Sequence, residues 1–326
     1  MDKISIFDIE LDNKHEFTED QIVDTIIQSQ QAYVETHTSA RELSESIRAY
    51  NNIDKLLQAQ DLFTGDKNLH YLAPSMEAWK LDEAKTKIVE KFRAFFKKIF
   101  SYITSFFLLR IEQAANVVNK WEGVLADDSK KDKIEKVKKE YTAKGATTES
   151  IKFALEKAHA AYSKVSTMVT NVKGMNPSQG DAGQKTTESL TLPADTAEYK
   201  AFFELWQKFE KMNPVGENKD TTEAVDADSG KWFDAGAVKG VREQIEKIKS
   251  VFANIKRLQA DCDAVVKSLE KTSTDDKDNA KQLNEAKIKW LSDVSKNILG
   301  AMLKHILTMV GYAASKSQTL TNMTEK

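Results

Sequence analysis

The chain has 326 residues, 40% of them hydrophobic and 30% charged, so it can bury a core and is globular rather than disordered. Cys262 is the only cysteine, which excludes an intramolecular disulfide framework and a cysteine-rich zinc site. The net charge of −2 is unevenly distributed: residues 1–77 hold 15 acidic and 6 basic residues (−9), residues 78–173 carry +8 and residues 174–326 carry −1. Because prolines and glycines are few, we predict an all-α fold, an elongated bundle of long antiparallel helices with two polar loops.

The acidic N-terminal region is predicted to be helical from Thr18, where the tetrapeptide TEDQ has the spacing of a capping box. Apolar residues then recur at intervals of three and four as far as Gln60, which indicates one buried stripe. Threonine and serine replace good helix formers in residues 35–42, so we expect a break or bend there. Gly65 and Pro74 end this unit, and Pro74 favours an extended residue before it.

The rest of the chain is predicted to be helical apart from the two loops. Helices are expected from about Met76 to Trp121, from about 129 to 142 and from about 147 to 173. Gly, Pro, Ser, Asn and Thr are concentrated in residues 174–194, which predicts a linker and the best internal boundary. A second loop is predicted at 213–230.

The region after the linker, residues 195–326, is predicted to open with an aromatic helix. That helix contains Phe202, Phe203, Trp206 and Phe209. Two long helices follow at roughly 235–271 and 276–317, and their order suggests an antiparallel hairpin. The chain is thus divided into an acidic region (1–77), a basic region (78–173), a linker (174–194) and a C-terminal helical region (195–326).

The run EKFRAFFKKIFSYITSFFLLRIEQ, residues 90–113, is amphipathic with basic flanks. Eight large apolar residues share one side of a helix: Phe92, Phe95, Phe96, Ile99, Ile103, Phe106, Phe107 and Ile111. The uncharged stretch from Ile99 to Leu109 is shorter than the roughly 20 residues that a spanning helix needs. This stripe suits either the centre of a soluble bundle or a membrane surface. We favour the core, because the flanking helices also carry apolar stripes that need a partner.

Patterns of catalytic or metal-binding residues are not evident. The scattered histidines form no HxxxH or HExxH pair, and they are His15, His37, His70, His159 and His305. Cys262 lies between Asp261 and Asp263, whose charges disfavour a thiolate. We therefore predict a non-enzymatic protein without a metal or cofactor, and a buried or inert thiol.

Seven lysines are candidates for contact with DNA or lipid: Lys91, Lys97, Lys98, Lys130, Lys131, Lys138 and Lys139. The last four belong to the block KKDKIEKVKK, residues 130–139, in which Asp132 and Glu135 are interleaved with the lysines. No aromatic stacking platform accompanies that block. A solvated, salt-bridged face is therefore the favoured interpretation of the block.

The acidic helical leader followed by this aromatic, lysine-rich helix resembles the internal head proteins of large tailed bacteriophages. Members of that family carry a helix of the form FxxFxKKIxxxIxxFF, matched here by Phe92, Phe95, Lys97, Lys98, Ile99, Ile103, Phe106 and Phe107. The likeness covers about residues 18–125. It implies a virion protein made in the host cytoplasm, packaged inside the capsid with the DNA genome and sometimes ejected with it.

The resemblance also implies trimming by the prohead protease after a glutamate. The resemblance implies that the prohead protease of giant phages cleaves after the sequence Ser/Ala/Gly-x-Glu. In other large phages the implied cleavage sequence is Leu/Ile-x-Glu. Here SME ends at Glu77 and LDE at Glu83, so the candidate cleavage site is the bond between Glu77 and Ala78. The small-residue tripeptide also ends inside predicted helices at Glu42, Glu156 and Glu270. Glu77 differs from these because an extended, exposed backbone is expected beside Pro74.

Cleavage after Glu77 would remove −9 and convert a precursor of −2 into a product of +7, which is better matched to packaged DNA. Three alternatives stay open. The acidic region can be an ordinary N-terminal hairpin of the bundle. The chain can be a membrane-active or pore-forming-like protein that inserts residues 92–111 and 298–314, or a cytosolic helical adaptor.

Overall fold

The structure, a computed structural model, describes residues 38–39, 41–43, 45–46, 73–141, 145–175, 190–212, 229–269 and 277–326. All regular secondary structure in these ranges is helical, which confirms the predicted all-α fold class. The predicted helix start at Thr18 and the cap at Gly65 lie outside the described residues. So do most of the two predicted loops, at residues 176–189 and 213–228.

From Ala73 onward, the described ranges contain nine α-helices. The α-helices are α1 (Ala73–Tyr102), α2 (Leu108–Ala126), α3 (Lys131–Glu140), α4 (Thr148–Gly174), α5 (Ala197–Met212), α6 (Ala235–Ala253), α7 (Ile255–Ser268), α8 (Lys277–Asp293) and α9 (Leu303–Glu325). Two π-helical segments continue long helices: Ile103–Phe107 joins α1 to α2, and Val294–Met302 joins α8 to α9. Short 3-10 turns lie at Asp128–Lys130, Pro193–Asp195 and Ser229–Phe233.

Local capping explains where several helices begin and end. Thr147 accepts a hydrogen bond from the amide of Ser150 (3.1 Å) at the start of α4. Asp234 accepts from the amide of Gly236 (2.8 Å) at the start of α6. The helix predicted to end near Trp121 continues to Ala126, where the backbone becomes extended at Asp127. A break was expected within residues 35–42, but the described positions there are helical: Thr38, Ser39, Arg41 and Glu42.

Hydroxyl side chains accompany both π-helical segments. Ser105 donates to the carbonyl of Ser101 (2.7 Å) beside the first segment, and Ser295 donates to the carbonyl of Leu291 (2.7 Å) beside the second. Such bonds satisfy carbonyl groups at a helical turn that has been widened. The 3-10 turn that precedes α5 is fixed to the second segment, because the amide of Ala194 donates to Asp293 (2.8 Å).

Helix α4 lies at the centre of the packing and contacts α5, α6, α7 and α9. Helix α6 runs antiparallel to α2, since Arg242 pairs with Glu122 (2.7 Å) and Lys249 pairs with Glu112 (3.4 Å). One hydrophobic core includes side chains from both sides of the predicted linker. Residues 174–194 therefore do not separate two independent cores.

The prediction that helices 235–271 and 276–317 pack mainly against each other as a hairpin is wrong. Helices α6 and α7 lie against α1, α2 and α4, whereas α9 lies against α2, α3 and α4. Each of the two predicted hairpin arms thus finds its main partners in the first half of the chain. Sequence order suggested neighbours, but the large apolar faces of α2 and α4 attract both arms.

Candidate functional site

The candidate cleavage bond lies in a helix. Glu77 and Ala78 are within α1, which begins at Ala73, and Pro74 occupies its first turn, where a missing amide hydrogen is tolerated. Glu77 thus lies in the helix that was expected from about Met76, and the extended backbone expected beside Pro74 is not present at this bond. A protease must unwind the first turns of α1 before it can cut there, which is less costly at a helix end than in its interior. Cleavage itself stays a prediction.

The aromatic stripe of α1 and its π-helical continuation is buried, as the core interpretation predicted. Phe92, Phe96, Ile103, Phe107 and Ile111 have no exposed surface, and Phe95 and Ile99 retain 2% and 3%. Phe106 is partly buried and packs against the same core. Phe107 meets Phe252 of α6 edge-on at 4.8 Å between ring centroids. In this structure the apolar stripe is therefore covered by other helices.

Three of the candidate lysines lie on α1, outside the buried stripe. Lys97 is exposed, and Lys91 and Lys98 are half-buried. Lys91 pairs with Glu42 of the N-terminal region, with 2.6 Å between Nζ and Oε2. The hydrogen bond and charge of Lys91, followed by the charge of Lys98, hold the pKa of Glu42 below its usual value. Sequence spacing did not reveal this contact, because its partners are 49 residues apart.

The other four candidate lysines lie at the start and end of α3 and in the 3-10 turn before it. Most are paired with neighbouring acids: Lys130 with Asp127 (3.7 Å), Lys131 with Asp128 (2.7 Å) and Lys138 with Glu135 (3.8 Å). Lys139 is exposed. The favoured interpretation of a salt-bridged face therefore agrees with the geometry. This group and the α1 group belong to elements with different packing partners and do not form one patch.

The C-terminal helix contains a long apolar run. Within the described ranges one helix, Gln282–Glu325, is long and apolar enough to cross a membrane by length and composition. Its most apolar window is 67% buried inside the fold. A mostly buried core helix passes the same test, so the finding agrees with packing against α2 and α4.

His305 of α9 belongs to an aromatic cluster with α5 that the sequence did not connect. Its ring stacks on Trp206 with 4.0 Å between centroids, and Phe202 and Phe203 lie at 6.4 Å. Burial, and then the charge of Lys304, lowers the pKa of His305 to about 4. The aromatic helix was predicted, but its histidine partner lies about a hundred residues away and follows no local pattern.

Two other ionisable side chains, Cys262 and Lys287, are buried within the helical core. Cys262 is fully buried, as predicted, and burial together with the two adjacent aspartates raises the pKa of its thiol. Lys287 is buried as well, and its ammonium group donates to the Met175 carbonyl (3.1 Å) and the Ser268 hydroxyl (2.9 Å). These partners lie at the C-terminal ends of α4 and α7, whose helix dipoles favour a cation. Burial lowers the pKa of Lys287.

Comparison of this chain with protein-family models, with curated proteins and with solved structures finds no match. The likeness to internal head proteins therefore depends on the residues quoted above.

Proposed function

We propose that this chain is a non-enzymatic virion protein of a tailed bacteriophage, held inside the head with the packaged DNA. Its partners are the inner capsid proteins, the genome, which it contacts through non-specific charge, and the prohead protease. That protease removes the acidic region after Glu77, and the remaining helical body can be delivered to the host.

The observation that carries this proposal is the change in the sign of the charge close to the start of α1. The part of the chain up to Glu77 carries −9 and the remainder +7, and the boundary falls in the first turns of α1. Among the described residues of the core, Leu43 alone precedes that boundary. Removal of the acidic region would therefore take Leu43 and the first five residues of α1 with it, and would leave the other described core residues in place.

Mass spectrometry of purified virions tests the proposal directly. The expected species begins at Ala78 and ends at Lys326. Recovery of intact Met1 to Lys326 from mature particles would remove the processing step, and absence of the protein from particles would end the virion assignment. Replacing Glu77 by Gln should block the cut, whereas Glu83→Gln should not affect it.

A second candidate function is membrane insertion, which the apolar run within Gln282–Glu325 favours. Insertion would require this helix and the stripe of α1 to leave their present partners. Liposome co-sedimentation distinguishes the two functions, because inserted protein remains with the vesicles at high salt and electrostatically attached protein is released.

A further inference from the structure

We propose that the N-terminal segment that includes Ser39, Glu42 and Leu43 covers a phosphate-binding lysine surface on α1, and that the Glu42 carboxylate occupies the place of a DNA phosphate. The surface is formed by Lys87, Lys91 and Lys98. This inference rests on the proposed function for one step only, since processing after Glu77 is the event that would uncover the surface permanently.

The N-terminal segment is held on the body by apolar contact. Leu43 retains 3% of its surface and belongs to the core cluster, and Ser39 retains 2%. These residues are four apart in a helical stretch, so they share the face that docks. Docking through Leu43 brings the adjacent Glu42 to Lys91, while Glu42 itself remains on the solvent side.

The lysine surface has the regular spacing of one helix face. Lys87, Lys91 and Lys98 are separated by four and seven residues, so they lie along one side of α1 over about 16 Å. Glu42 pairs with Lys91, the middle lysine of the row, and the charge of Lys98 also lowers the pKa of Glu42. At the near end Lys87 pairs with Glu83 of its own helix (2.8 Å). An acid from another part of the chain thus neutralises the centre of this row.

The chemistry of the surface favours a phosphate backbone over a bilayer. The apolar side of α1 is buried, with Phe92, Phe95 and Phe96 exposing no more than 2% of their surface. Among the described side chains of α1, the exposed ones are charged, hydroxyl-bearing or alanine, and binding to a polyanion requires no more than charge. Stable attachment to a membrane surface generally needs buried apolar side chains in addition.

The N-terminal segment can be displaced from α1 because its ion pair with α1 is weak. The Lys91–Glu42 pair is exposed, at 38% and 46% of the two side chains, and exposed pairs are screened by salt. Displacement therefore depends mainly on releasing Leu43. Once the segment leaves, the three lysines face solvent from a rigid helix.

The test uses the full chain and fluorescence anisotropy with a short labelled duplex of mixed sequence. Glu42→Gln is expected to tighten DNA binding about threefold, and Leu43→Asp, which undocks the segment, about tenfold or more. Glu45→Gln is the matched control, since it makes the same charge change on the same segment, but Glu45 pairs with Arg41 (2.9 Å) and not with α1. It should leave affinity close to that of the wild type.

A triple variant, Leu43→Asp with Lys91→Gln and Lys98→Gln, shows whether the tighter DNA binding of Leu43→Asp depends on these two lysines. Its affinity should return to the wild-type value and its salt dependence should be shallower than that of Leu43→Asp. Equal effects of Glu42→Gln and Glu45→Gln, or a gain that survives loss of both lysines, would overturn the inference. Binding of Leu43→Asp to phosphatidylglycerol vesicles without tighter DNA binding would assign the surface to lipid instead. These affinities are measured on purified protein, so their outcome does not depend on whether virions contain a processed chain.

Discussion

Three fully buried tryptophans differ in whether their indole nitrogens find a hydrogen-bond partner. Trp121 donates to the Trp232 carbonyl (2.8 Å), and Trp232 in turn donates to the Ala146 carbonyl (3.2 Å). The indole nitrogen of Trp290 has no hydrogen-bond partner among the described residues. The first pair joins α2 to the connections before α4 and α6, so it ties together segments that are distant in sequence.

We expect Trp121→Phe to lower the free energy of unfolding more than Trp290→Phe does. Both changes remove a similar volume, but only the first leaves a buried carbonyl without its donor, which costs about 1–3 kcal/mol. Urea denaturation of the two variants measures the difference. Equal losses would mean that the Trp121 hydrogen bond contributes nothing beyond packing.

His305 predicts a loss of stability on acidification. Its pKa in the folded protein is about 4, below the ordinary value of about 6.5, so the unfolded chain binds more protons between these limits. Stability contributed by neutral His305 is present above about pH 6.5 and is lost as pH falls towards 4. After allowance for the solvent-facing part of the ring, the loss is about 1–2 kcal/mol.

His305→Phe keeps a ring on Trp206 and removes the titration. The stability difference between pH 7 and pH 5, measured by urea denaturation, should therefore be smaller in the variant than in the wild type. Other groups titrate in both proteins, so the comparison isolates His305. An unchanged difference would show that the ring is solvated in the folded state.

At the scale of elements, α1 is defined by the contrast between its buried stripe and its lysines. Phe96 lies within an aromatic row, with ring centroids 6.0 Å from Phe92, 5.6 Å from Phe95 and 6.0 Å from Phe100. Replacing it by Ala would leave a cavity in a core that the flanking helices cannot fully close.

Phe96→Ala is expected to cost about 3–5 kcal/mol of unfolding free energy. Phe153→Ala is the matched control on α4, because Phe153 is 48% exposed and the Lys152 ammonium group lies 5.9 Å from the centroid of its ring. The control should cost less than about 1 kcal/mol. Similar losses in both variants would be inconsistent with a buried stripe on α1.

At the scale of the whole molecule, the regions before and after the predicted linker share one core. Helix α6 packs on α2 and α4, and α9 packs on the same two helices. Ion pairs also cross between these halves, including Lys173 with Asp261 (2.9 Å) and Lys120 with Glu325 (3.5 Å). Neither half therefore buries its apolar faces without the other.

We expect a single cooperative unfolding transition in urea. Far-ultraviolet circular dichroism reports all helices, whereas tryptophan fluorescence reports Trp79 and Trp121 from one half and Trp206, Trp232 and Trp290 from the other. Since the halves share a core, the two curves should coincide. Two separated transitions would mean that residues 174–194 divide independently stable units.

The helical class, the burial of the α1 stripe and the buried position of Cys262 all followed from the sequence, because they depend on composition and on spacings of three and four residues. The separation of acidic and basic charge was also readable directly. Only the tertiary structure decided that α6 and α9 pack on α2 and α4, that Glu42 reaches Lys91 and that His305 stacks on Trp206. These contacts join segments distant along the chain, and local periodicity specifies which face of a helix is buried but not which helix will cover it.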